Sequence, residues 1–232
     1  RIEHKKIEHK LKKLNKIGIT KKSYYIYNMS LYEEQPKAKL TEVEDIEESP
    51  YTKVSEQLGT LIDFDDSVIY LNDDITEMSM VDFMIKVRSI ISNRNEQTKD
   101  DPINVIINSP GGDIYDMLGI IDYMETLSIK INTICRGKAL SAAAIILTCG
   151  TGARMMSKRS SVMFHQSSSF LSGKMSDISA CLDNIKFLET TIYKLLESRT
   201  KKDAAWWKDK MKTDTYLTPE QLVEYGVIDQ II

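Results

Sequence analysis

A parallel-sheet α/β fold is predicted for this 232-residue chain by three observations. Strand-like and helix-like stretches alternate from about residue 67 to the end. The run Ile103-Asn104-Val105-Ile106-Ile107 is nearly all β-branched, the pattern of a strand covered on both faces. It ends in Asn108-Ser109-Pro110-Gly111-Gly112, a glycine-rich strand exit of the kind where open α/β sheets bind ligands.

Residues 1–22 are Lys-rich, and Ile7, Leu11, Leu14 and Ile17 fall near helical spacing, which predicts a short amphipathic helix with an exposed basic face. The Tyr-rich stretch 23–31 reads as a strand. Residues 33–49 are acidic and poor in apolar residues, with Pro36 within and Pro50 after, and read as a linker. Residues 1–50 are therefore taken as a basic-then-acidic extension, and 51–232 as the folded domain. Within that domain Ser67–Leu71 reads as a strand. A helix through Met80, Phe83, Met84, Val87, Ile90 and Ile91 runs to about Asn93. After the strand at 103–107, a helix spans about 114–127. A strand follows at 129–135, then a helix from Ser141 and a short strand at 162–165. A long helix over 175–200 carries Ile178, Leu182, Ile185, Leu188, Ile192, Leu195 and Leu196 on one side. Two short helices, about 204–211 and 218–225, precede a last strand over 227–232. Thr218-Pro219-Glu220 supplies the cap and first turn of the second.

Composition narrows the function. A net charge of −3 gives no electrostatic footprint for nucleic acid. No apolar run approaches the roughly 20 residues of a spanning helix, and the basic, polar start predicts a protein that is not secreted. Cys135, Cys149 and Cys181 are widely spaced in apolar runs, so free buried thiols in a reducing compartment are expected. The phosphate-loop pattern is absent, and no cofactor or metal is expected.

Two features can carry chemistry. The first is Gly111-Gly112, where a backbone can come close to a substrate and aim N–H groups at a carbonyl oxygen. The second is Ser141 in Gly137-Lys138-Ala139-Leu140-Ser141-Ala142, between a strand and a helix. A serine there is more often a helix N-cap. It becomes a nucleophile only if a positioned base takes its proton. His165 is the one histidine of the folded region, and an acid must hold its tautomer. Spacing alone leaves Asp177, Asp183, Asp203, Asp209, Asp214 and Asp229 open for that part.

From Ser67 onward the chain resembles the proteolytic subunit of the Clp protease. The resemblance is carried by Ile107-Asn108-Ser109-Pro110-Gly111-Gly112, by Thr133-Ile134-Cys135 with Gly137-x-Ala139-x-Ser141, and by Met163-Phe164-His165-Gln166. Gly173-x-x-x-Asp177-Ile178 follows, then Asp214-x-x-Leu217-x-x-x-x-Leu222 leading to Glu224-Tyr225-Gly226-Val227-Ile228-Asp229. It implies a crotonase-like spiral of strands and helices with a strand-helix handle at about 167–200. It implies Ser141 as nucleophile, His165 as general base and Asp214 as orienting acid. The oxyanion donors would be the N–H groups of Gly112 and Ala142, with Gly111 beside them. It further implies a serine endopeptidase of the cytoplasm or an organelle, enclosed in heptameric rings, homo- or hetero-oligomeric, fed protein substrates by a Clp-type AAA+ ATPase. Nucleic acid and membrane are not expected partners. Ser167-Ser168-Ser169-Phe170 replaces the family's Pro and Gly-rich strand, and Lys212-Thr213 replaces its charged pair. Three other readings compete: a silent ring subunit beside an active paralogue, a phage-type maturation protease of limited range, and an acyl-CoA enzyme of the wider crotonase group.

Overall fold

A computed structural model describes residues 67–168 and 171–232. The expected helix at 1–22, strand at 23–31, linker at 33–49 and domain start at 51 lie outside the described residues. The elements run β1 (Val68–Leu71), α1 (Glu77–Asn93), β2 (Ile103–Ser109), α2 (Ile114–Thr126), β3 (Ile131–Leu140), α3 (Ala142–Thr148), β4 (Arg154–Met156), β5 (Ser161–Phe164), α4 (Met175–Arg199), α5 (Ala204–Lys210), β6 (Thr215–Leu217), α6 (Pro219–Glu224) and β7 (Gln230–Ile231).

Strands β1-β2-β3-β4-β7 form a parallel sheet in that order. The strand that organises it is β3, which forks. Its first half, Thr133–Cys135, pairs with β4, and its second half, Lys138–Leu140, pairs with β5. Between the halves lies Gly137 at φ 101, and opposite it the β2 register shifts between Ile107 and Ser109. A glycine inside a strand marks such a bend, because it adopts the positive φ without strain. Beyond the fork, β5 pairs antiparallel with β6, Phe164 opposite Thr215. The C-terminal ends of β3 and β5 and the N-terminal end of β6 therefore lie side by side.

The core fills from both faces. All seven residues of α3 are buried, so this helix is apolar all round and lies inside the molecule. Its one hydroxyl is satisfied locally, Thr148 donating to the Ala144 carbonyl at 2.7 Å. Phe164 and Trp207 pack ring against ring, with centroids 4.8 Å apart and planes tilted by 52°, which fastens α5 to β5. Arg154 ties four segments together. It pairs with Asp229 at 2.6 Å and donates to the carbonyls of Arg199 (2.9 Å) and Gly226 (2.8 Å), and more weakly to that of Thr148 (3.3 Å). Burial pushes the Asp229 carboxyl up, but hydrogen bonds from the Arg154 side chain and backbone outweigh it and hold the pKa below its ordinary value. A depressed folded-state pKa contributes stability that is present above the unfolded value, near 4, and lost as pH falls through the folded one. Thermal melts below pH 4 should therefore show Asp229→Asn losing less stability on further acidification than the wild type.

Several boundaries depart from the sequence expectation. The strand expected to end at Cys135 runs through Gly137 to Leu140. The short β4 went unread because Arg154-Met155-Met156 has no β-branched residue. The last strand shrinks to Gln230–Ile231. Val227 still winds off α6, its N–H donating to the Leu222 carbonyl at 2.8 Å while Gly226 takes φ 76. Among the described residues between β5 and α4 no strand forms, since that segment meets no neighbouring strand in the chain. Helix α4, in the segment expected to form the handle, leaves Met175, Leu182 and Phe187 exposed.

Candidate active site

Ser141 follows β3 directly and occupies the cap position of α3, at φ 54 and ψ −123. A non-glycine residue in that region is strained. The surroundings hold it there: its N–H donates to the Met163 carbonyl at 2.8 Å, and its own carbonyl accepts from Ala144 at 2.9 Å. Its side chain makes no capping bond. The hydroxyl instead lies 2.8 Å from His165 Nε2. The strained turn thus aims Oγ away from the helix it begins, as at a nucleophile elbow.

His165 follows β5, and Asp214 precedes β6. The antiparallel pairing of those strands brings them together, with His165 Nδ1 3.3 Å from Asp214 Oδ1. An Nδ1–H donated to that carboxylate leaves the Nε2 lone pair facing the serine hydroxyl, the tautomer that proton removal requires. Asp214 remains well exposed, with 62% of its side-chain surface accessible, so its hold is weaker than that of a buried acid. The other aspartates stand elsewhere. Asp177 and Asp183 are exposed on α4, Asp203 caps α5, Asp209 pairs with Lys212 and Asp229 with Arg154.

The glycines close the site from the β2 side. Gly111 takes φ 99 and its N–H donates to Ser109 Oγ at 3.1 Å, so that N–H is already engaged. Ser109 is fully buried and donates in turn to the Asp73 carbonyl at 2.6 Å. Ile75 clamps the same loop, its N–H to the Gly111 carbonyl and its carbonyl from the Asp113 N–H, both at 2.8 Å. Among the described residues the N–H groups of Gly112 and Ala142 make no hydrogen bond, and both residues line the cleft that holds Ser141. Ser109 and Ile75 were missed as positioning residues. Ser109 was visible in the Ser-Pro-Gly-Gly motif, whereas nothing local marks Ile75.

The cleft has a volume of about 380 Å³. Met117, Ile145, Leu188, Ile192 and Met211 give it apolar walls. The Asn184 amide donates to Tyr115 Oη at 2.6 Å, linking α4 to α2 across it. Its α2 side is acidic. Burial raises the Asp116 pKa, with Asp113 and Glu77 adding to the rise.

The cysteines divide differently from the expectation that all three are buried. Cys135 and Cys149 are, and burial pushes their thiols up to about 11 and about 12. Cys181 is exposed and lines the cleft, because its position on α4 turns away from the core. Iodoacetamide at pH 8 should add one group to the native protein and three after denaturation, read by intact mass, since the thiolate is the reactive form.

Among the described residues no helix is long and apolar enough to cross a membrane, and no three His, Cys, Asp or Glu side chains gather as a metal site would require.

Comparison with known proteins gives a consistent result. The family model described as Clp protease matches residues 52–232. The ATP-dependent Clp protease proteolytic subunit 1 of Prochlorococcus marinus (strain MIT 9312) is 40% identical over 57% of this chain and 69% of its own length. The same-named subunit of P. marinus subsp. pastoris is 35% identical over 71% of this chain and 83% of its own. That of Mycolicibacterium paratuberculosis is 32% identical over 80% and 83%.

Proposed function

This chain belongs to the Clp protease family, and from that premise we propose that it is a proteolytic subunit whose serine chemistry is performed by Ser141, His165 and Asp214. The observation that carries this reading is the contact between Ser141 Oγ and His165 Nε2, made at the mouth of an apolar cleft. In the reaction, His165 Nε2 takes the hydroxyl proton as Oγ attacks the peptide carbonyl. The carbonyl oxygen becomes an oxyanion facing the N–H groups of Gly112 and Ala142. His165 then gives its proton to the leaving amine as the C–N bond breaks, leaving an acyl group on Ser141. Water repeats the sequence and releases the acid. Asp214 holds the imidazole and stabilises the imidazolium.

The peptidase domain would occupy 51–232. Assembly into rings is supported by the exposed apolar side chains of α4, which a second copy would cover. An AAA+ unfoldase partner is part of the same proposal, in keeping with the ATP dependence that the relatives' names give them. Three free cysteines suit a reducing compartment such as the cytoplasm.

Labelling of the purified protein with a fluorophosphonate or β-lactone tests the reading. A single adduct on Ser141 is the expected result, and failure of Ser141 to react in every oligomeric state overturns it. Asp214→Asn should retain labelling at a reduced rate. The loss in peptide hydrolysis should exceed about tenfold, yet fall short of the ~10,000-fold seen where the orienting acid is buried, because Asp214 is exposed.

A further inference from the structure

The same cleft also bears on which peptides it takes, and this inference rests on the peptidase reading above. Its charges are one-sided. Among the described residues lining it, Asp113 and Glu189 carry carboxylates, and there is no Lys or Arg. Asp113 is already engaged, accepting from the N–H groups of Tyr115 at 2.7 Å and Asp116 at 3.2 Å as the cap of α2. Glu189 on α4 is different. It is half-buried, and it takes part in none of the ion pairs among the described residues. The Tyr193 hydroxyl, one helical turn on, is near enough for Glu189 to add to the rise that burial causes in its pKa. That hydroxyl also accepts from Gln166 Nε2 at 3.3 Å, and Gln166 follows His165 in the chain.

A half-buried carboxylate with no cationic partner among the described residues gains most from a cation, since charge-assisted hydrogen bonds are about twice as strong as neutral ones. Leu188 and Ile192 flank it with apolar surface. A ligand matching both features has a long aliphatic stem and a cationic head. We propose that Glu189 is a specificity-determining residue, selecting peptides that place a Lys or Arg side chain in the Ser141 cleft. A Glu at the same subsite is repelled. A Leu packs on the walls but leaves Glu189 without a charged partner.

Three fluorogenic peptides that differ only in having Lys, Leu or Glu at the residue before the scissile bond, and a second set varied one position earlier, test this on the full chain. In at least one set the Lys peptide should have the highest kcat/KM. Glu189→Gln should lower the Lys-to-Leu ratio about ten- to a hundredfold, the range for loss of a charged hydrogen bond. Glu189→Lys should reverse the order of the Lys and Glu peptides, which a merely structural role of Glu189 would not do. Ratios equal in wild type and both variants overturn the proposal. Fluorescence anisotropy of the same peptides on Ser141→Ala reads the preference without turnover. Tighter binding of the Lys peptide there, with no hydrolysis by the wild type, upholds the selectivity and removes the peptidase reading. Hydrolysis without charge preference does the reverse.

Discussion

Ser141→Ala is expected to abolish reaction with fluorophosphonate and to lower peptide hydrolysis by about 10,000-fold or more. Removing the nucleophile of a serine triad costs on that order, because the remaining members work only through it. Here the dependence is visible in the geometry. His165 Nε2 lies 2.8 Å from Ser141 Oγ, and Gly112 and Ala142 line the same cleft, so on the proposed mechanism all of them act through Oγ. Stability should barely change, because the hydroxyl makes no capping bond. Substitution by glycine separates the two functions of this position. Ser141→Gly is just as inactive, but it relieves a strained backbone at φ 54. It should melt above Ser141→Ala by the equivalent of about 1 kcal/mol. Calorimetry on the two variants, with the labelling assay alongside, reads both effects.

Gly111→Ala is expected to be strongly destabilising. An added Cβ would lie 2.6 Å from the Leu140 carbonyl oxygen, 2.8 Å from the Ser141 Cβ and 3.0 Å from the Ala142 nitrogen. Two of those three are backbone atoms and the third is a Cβ fixed to the backbone, so none can swing aside. The residue also sits at φ 99, which an L side chain rarely adopts. Strain and overpacking each cost about 1–3 kcal/mol, which together should lower Tm by roughly 10 °C in a domain of this size. Activity should fall further than stability explains, since the displaced atoms are those of the proposed nucleophile and oxyanion donor. Gly173→Ala is the comparison. It has φ 141 but nothing within 4 Å of its Cβ, so strain acts there without collision and the Tm change should be a few degrees at most.

Much of the fold was readable residue by residue, and the failures have a common cause. The β-branched run of β2 and the heptad-like spacing of α4 are local patterns, and both elements appear where those patterns lie. The far half of β3 was not legible, because Gly137 looks like a stop in sequence and acts as a bend once β5 supplies a partner. The exposure of Cys181 was likewise invisible. Its neighbours are apolar, but the face of α4 that packs on the core is set by Leu188, Ile192 and Leu196 further along. Nor did spacing distinguish Asp214 from five other aspartates. Its selection in the structure comes from the antiparallel pairing of β6 with β5.

By itself the sequence determined the alternating α/β order, the glycine exit after β2, the small-residue setting of Ser141 and the motifs by which the family is known. These are local: each depends on residue types within a few positions of one another. Only the tertiary structure decided that the Ser141 hydroxyl turns to His165 rather than capping α3, that Asp214 rather than Asp209 or Asp229 meets the imidazole, and that Glu189 lines the cleft with no Lys or Arg paired to it among the described residues. Those outcomes depend on which strand ends the fork in β3 brings side by side, and strand pairing is a property of the whole sheet, not of any stretch within it.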